Sequence, residues 1–148
     1  MWQRPQTFYL AISTILIAIM FFGIKAVTVG ADGTPTEEFK YITYFPYLVL
    51  LIVIGILNIL ALTTFKVRMF QFRTAVLAAL VTLALQIWLA VDFFSTHDTM
   101  VFKLSAVFPI IAVILDVMAA RGIMADQFLV DNAEHLRKAR RERRSKRK

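Results

Sequence analysis

Four long apolar runs alternate with short polar segments, at roughly 7–24, 42–65, 74–94 and 101–120. Crossing a hydrocarbon core takes about 20 apolar residues as a helix. Only a helix or a closed barrel satisfies its own backbone hydrogen bonds in lipid. Basic residues are distributed unevenly over the gaps. Of 17 Lys and Arg, 14 would share one side: Arg4, the trio Lys66, Arg68 and Arg73, and ten residues from Arg121 onward. Lys25, Lys40 and Lys103 fall on the other. Short basic loops stay cytoplasmic, so the pattern predicts an all-α membrane protein of four transmembrane helices with both termini inside.

Composition limits what else the chain can be. With 148 residues, 59% of them hydrophobic, four spans leave room for loops and a tail but for no sizeable extramembrane domain. The expected organisation is a bundle over 1–120 and a basic cytoplasmic tail over 121–148, partly helical. The tail holds ten basic and four acidic residues, nearly all of the net charge of +7. The absence of cysteine excludes disulfides, thiolate metal sites and cysteine nucleophiles. The first run is too long for a removable signal core and lacks a small-residue cleavage site, so it reads as a retained span.

Local signals refine the spans. Pro5 suits the first turn of a helix. Gly30, Gly33 and Pro35, among Asp32, Glu37 and Glu38, mark 25–41 as an exposed turn region. Tyr41, Tyr44, Phe45 and Tyr47 read as an aromatic belt at headgroup level. A tight basic turn over 66–73 pairs spans two and three, and a brief turn at 95–100 joins spans three and four. Ile56-Leu57-Asn58-Ile59-Leu60-Ala61 resembles Ile114-Leu115-Asp116-Val117-Met118-Ala119, a faint repeat consistent with two parallel hairpins.

The opening Met1-Trp2-Gln3-Arg4-Pro5-Gln6-Thr7-Phe8-Tyr9-Leu10 resembles that of the domain of unknown function 4293 family, at Gln3, Arg4, Gln6, Tyr9 and Leu10. The stretch 114–121 and Leu136-Arg137 resemble its closing region, although Asp116 and Pro5 depart from the family pattern. The resemblance implies a small four-span protein of the bacterial inner membrane, of the kind found in Bacteroidota. It supplies no activity.

Polar groups inside hydrocarbon are costly and are functional candidates by default. Asn58, Gln86, Asp92 and Asp116 are the four. Asn58 and Asp116, on the order of 10 and 6 Å from the inner ends of their spans at about 1.5 Å per residue, form the expected intramembrane polar pair. It is either packing glue or, if Asp116 couples ions, the core of a small oligomeric proton- or cation-driven transporter. Gln86 lies too far towards the outer end to join them, and Asp92 reads as a wet interfacial acid. His97 and His135 lie outside the spans, so neither a haem nor a metal is expected. No Ser-His-Asp set, P-loop or H-E-x-x-H motif is present, and no catalytic residue is assigned.

Arg137, Lys138, Arg140, Arg141, Arg143, Arg144, Lys146, Arg147 and Lys148 form a basic arm suited to anionic lipid or to ribosomal RNA. Orientation is already set by Arg4, Lys66, Arg68, Arg73 and Arg121, so the arm is surplus for topology. The function expected from these features is a non-catalytic accessory or scaffold subunit, bound in the bilayer to another integral membrane protein or complex. Both termini inside has a direct consequence. Single cysteines at Asp32 and Thr99 should react with an impermeant thiol reagent in intact spheroplasts, and one at Ser145 should stay protected. Labelling at Ser145 contradicts the orientation.

Overall fold

The computed structural model describes residues 5–29, 34–64, 66–96 and 100–145, the last five of these by their backbone alone. Four helices are long and apolar enough to cross a membrane: α1 (Pro5–Phe22), α2 (Phe45–Thr63), α3 (Arg68–Thr96) and α4 (Phe108–Ser145). A proline stands in the first turn of α1, α2 and α4 (Pro5, Pro46 and Pro109), where its missing N–H removes a donor that has no helical partner anyway. The chain is a multi-pass membrane protein whose outward faces present Phe8, Ile15, Ile19, Ile52, Ile56, Ile87, Val91, Ile110 and Ile114.

Two boundaries differ from the sequence pattern. α3 begins at Arg68, so the turn after α2 is shorter than the basic loop expected over 66–73, and Arg68 and Arg73 lie on the helix. α4 begins only at Phe108, but it then runs 38 residues without a break into the tail. At about 1.5 Å per residue that is roughly 57 Å, against a hydrocarbon core of about 30 Å. The residues after Asp116 belong to the same helix as those before it. They continue the last span.

The segment expected as an exposed turn instead contains strands. β1 (Ile24–Val29) pairs antiparallel with β2 (Pro35–Lys40) on one side and β3 (Met100–Phe102) on the other. β-branched Val27, Thr28 and Val29 suit the central strand, and Val27 stands opposite Glu38 and Val101. β2 is an exposed edge carrying Glu37, Glu38 and Lys40, and charged side chains blunt such an edge against further pairing. This small sheet caps one end of the bundle, called here the sheet end. The start of α1, the α2–α3 turn and the tail side of α4 share the opposite, tail end.

Small residues let the helices approach. Ala75, Ala78 and Ala79 of α3 are buried, as are Ala112, Ala119 and Ala120 of α4. Membrane helix interfaces favour small side chains because close backbones gain dispersion contact. On the α1–α4 side, a Cβ added at Gly122 would stand 2.8 Å from Gln6 Cγ. Gln6 cannot yield freely, because its Nε2 donates to Asp126 Oδ2 at 2.6 Å. Gly122→Leu should therefore destabilise the bundle by about 1–3 kcal/mol in detergent unfolding, with Gln6→Ala partly relieving the cost.

Candidate functional site

Three levels of polar side chains cross the bundle interior, and α1 or the residue just beyond it takes part in each. At the sheet end, Lys25 Nζ lies 2.5 Å from Asp92 Oδ2. The Tyr47 hydroxyl donates to the same carboxylate oxygen. The ammonium group also lies 4.6 Å from the Tyr47 ring centroid and 5.5 Å from that of Phe102. Asp92, expected as a wet interfacial acid, is thus ion-paired and mostly covered, at 28% exposure. Half of the expected aromatic belt also turns inward. Tyr41 and Tyr47 are fully buried, whereas Tyr44 and Phe45 stay exposed. The Tyr41 hydroxyl pairs with Ser105 Oγ at 3.0 Å, and Ser105 in turn donates to the Ile24 carbonyl at 3.0 Å. Burial raises the Tyr41 pKa above the ordinary tyrosine value, with the Ser105 contact acting the other way.

The middle level holds the two residues singled out from the sequence. Asn58 of α2 and Asp116 of α4 are both completely buried, and Ser13 of α1 is buried with them. Asn58 Nδ2 donates to Ser13 Oγ at 3.3 Å. The Ser13 hydroxyl is also close enough to interact with the Asp116 carboxyl, but no full hydrogen bond reaches either carboxyl oxygen. Asn58 Oδ1 also lacks a partner. Asn58 and Asp116 are therefore brought together around Ser13, and no direct hydrogen bond joins them among the described residues.

At the tail end, Asp126 accepts from Gln6, and Arg68 Nη1 reaches the Asp126 carbonyl at 3.5 Å. Lys66, Arg73 and Arg121 are exposed around this level, and Arg68 is half-buried. Arg4 lies outside the described residues. Arg137, Lys138 and Arg140 are exposed on α4, and the helix carries the backbone of Arg141, Arg143 and Arg144. The side chains of these three, together with Lys146, Arg147 and Lys148, lie outside the described residues. Gln86 is remote from the middle level. It lines a shallow apolar groove with Phe93, Phe102, Lys103 and Leu104, and its Oε1 has no partner. His135 is exposed, and His97 falls outside the described residues. Among the described residues no three His, Cys, Asp or Glu side chains gather as a metal site.

The sequence pattern places Gln6 in the family opening and Tyr47 in the aromatic belt, but it marks neither of them, nor Ser13 or Lys25, as an interior polar partner. A serine inside an apolar run, or a lysine just past one, is common. What selects these four is the carboxylate or amide opposite, on another helix. A family model described as domain of unknown function (DUF4293) matches residues 2–136, the family that the opening and closing stretches resemble. No curated protein and no solved structure matches the chain.

The sheet-end cluster makes a stability prediction. Among the described residues Lys25→Met leaves the Asp92 charge with the Tyr47 donor alone, and it should cost about 1–3 kcal/mol. Replacing both partners, Lys25→Met with Asp92→Leu, should restore much of that loss, because no unpaired charge remains. Thermal unfolding in a mild detergent compares the two. A double variant no more stable than Lys25→Met contradicts the pairing.

Proposed function

We propose that the chain, which belongs to the DUF4293 family, is a non-catalytic accessory or scaffold subunit of a larger assembly in a bacterial inner membrane. Both termini lie in the cytoplasm, and a basic arm docks on a polyanion there. The orientation rests on charge. Lys66, Arg68, Arg73 and Arg121 belong to the tail end, the arrangement that the positive-inside rule keeps in the cytoplasm.

The observation that carries the docking role is the unbroken α4 helix. From Arg121 to Arg137 it rises about 24 Å at about 1.5 Å per residue, and residues 128–140 are exposed throughout. Exposed charges are largely screened beyond a Debye length of about 8 Å at physiological salt. A rod that continues the last span lifts its charges away from the headgroups, which favours RNA on a partner such as the ribosome over the bilayer's own anionic lipid. The family match ends at residue 136, one residue before the basic run. The match therefore covers the bundle and the first part of the tail, residues 121–136.

A specific observation favours a second reading, a small oligomeric proton- or cation-coupled transporter built on Asp116. That observation is the buried carboxyl whose oxygens lack hydrogen-bond partners. Transport would need Asp116 to meet both faces of the membrane in turn.

Truncation after Leu136 tests the docking role. Insertion and orientation should be unchanged, while recovery of ribosomes with the detergent-solubilised protein should fall at least tenfold. The full chain's binding should weaken steeply as salt is raised, as expected when basic groups displace phosphate counterions. Equal recovery by the truncated and full chains contradicts the docking role, and binding to anionic liposomes alone moves it to lipid.

A further inference from the structure

The middle level of the bundle holds more hydrogen-bond acceptors than donors. Asn58 uses one amide hydrogen on Ser13 Oγ at 3.3 Å, and its own Oδ1 receives none. Among the described residues no full hydrogen bond reaches either Asp116 oxygen, although the Ser13 hydroxyl lies close to them. Ser13, Asn58 and Asp116 are each 0% exposed, so bulk water does not reach them. A carboxylate in that position would be an uncompensated charge in an apolar interior, which proteins avoid.

Among the described residues the surrounding elements provide no counter-charge. α1 and α2 carry no charged residue between their ends. The charged residues of α3 are Arg68, Arg73 and Asp92, of which Arg73 is exposed, Arg68 reaches the Asp126 carbonyl, and Asp92 is paired with Lys25. The charged residue of α4 next to Asp116 is Arg121, which is exposed. The buried Thr82 hydroxyl of α3 is committed to the Ala78 carbonyl at 2.7 Å.

A metal ion fits this shortage poorly. Three side chains offer few oxygens, Ser13 Oγ already accepts from Asn58, and hard divalent cations take about six or more oxygen ligands. A single proton fits it well. On Asp116 it removes the charge and turns one surplus acceptor into a donor, and Asn58 Oδ1 is an acceptor lacking one. We infer that Ser13, Asn58 and Asp116 form an intramembrane proton-binding site, in which the Asp116 carboxylic acid donates to Asn58 Oδ1 and Ser13 holds the two side chains in place. Asp116 is the residue that gains and loses the proton; Asn58 and Ser13 are positioning residues. Release leaves a carboxylate and delivers the proton to water, so it requires the helices to part. The site deepens the transporter reading and is independent of the basic arm.

Infrared spectroscopy of the full chain in lipid nanodiscs at neutral pH reads the acid directly. The wild type should show a protonated-carboxyl C=O band that shifts in D2O and is lost in Asp116→Asn, a variant that keeps size and hydrogen bonding. Asn58→Leu should keep the band but move it to higher frequency, as a lost hydrogen bond requires. Should Asn58→Leu fail to fold, Asn58→Ser, which shortens the acceptor, should give the same upward shift. A wild type without the band, a band that survives Asp116→Asn, or a frequency insensitive to position 58 each overturns the site. A band accompanied by no proton flux in reconstituted vesicles sustains the site while removing the transporter reading.

Discussion

Hydrocarbon offers a polar side chain no water, only the backbone or another side chain, and in this bundle that other side chain comes repeatedly from α1 or the residues just past it. Lys25, just past its end, meets Asp92; Ser13, at its middle, meets Asn58 and lies by Asp116; Gln6, in its first turn, meets Asp126. The three acids lie on α3 and α4, so α1 is the element through which the two hairpins are tied. Each hydrogen bond of this kind contributes only about 0.6–2 kcal/mol in a membrane. Their effect is specificity. An apolar helix slides on apolar neighbours with little preference for register, whereas three levels spaced along one helix fix both its height and its rotation.

Packing follows from that register. With α1 set by its polar face, Leu10, Ile17 and Met20 enter the core and Phe8, Ile15 and Ile19 face outward. Alanines bring α3 and α4 close, and Gly122 leaves the space that Gln6 occupies on its way to Asp126. At the sheet end Tyr47 serves three neighbours at once, through its hydroxyl to Asp92 and through its ring to Lys25 and Trp88. The sheet closes over this end because Lys25 lies at the start of β1, next to Ile24, while Phe102 ends β3, and the Lys103 N–H donates to the Lys25 carbonyl at 3.0 Å.

The spans were legible because a run of some 20 apolar residues has few alternatives in any fold. Their ends were less so. Gly30 and Gly33 lie outside the described residues, and as turn signals they obscure the β-branched run Val27-Thr28-Val29 before them, whose partner β3 lies about 70 residues further on. The basic trio Lys66, Arg68 and Arg73 reads as a loop, yet arginine is a good helix former and α3 starts at Arg68. Asn58 and Asp116 stood out as polar groups in apolar surroundings, whereas Ser13 did not, since a serine in a helix can satisfy itself on its own backbone. The inward turn of Tyr47 depends on Asp92, 45 positions away, and belt tyrosines carry no mark that distinguishes them from buried ones.

The scaffold and transporter readings make different use of one frame: the first needs the rod that α4 projects, the second the acid that α4 buries. Both need α1 seated against α2 and α4 at the level of Ser13. The direct measurement is disulfide formation in native membranes between Ser13→Cys and Asn58→Cys, whose parent side chains touch at 3.3 Å. The account predicts rapid oxidation to a disulfide within one monomer. A pair that remains reduced under oxidant, or that bridges only separate chains, would contradict it.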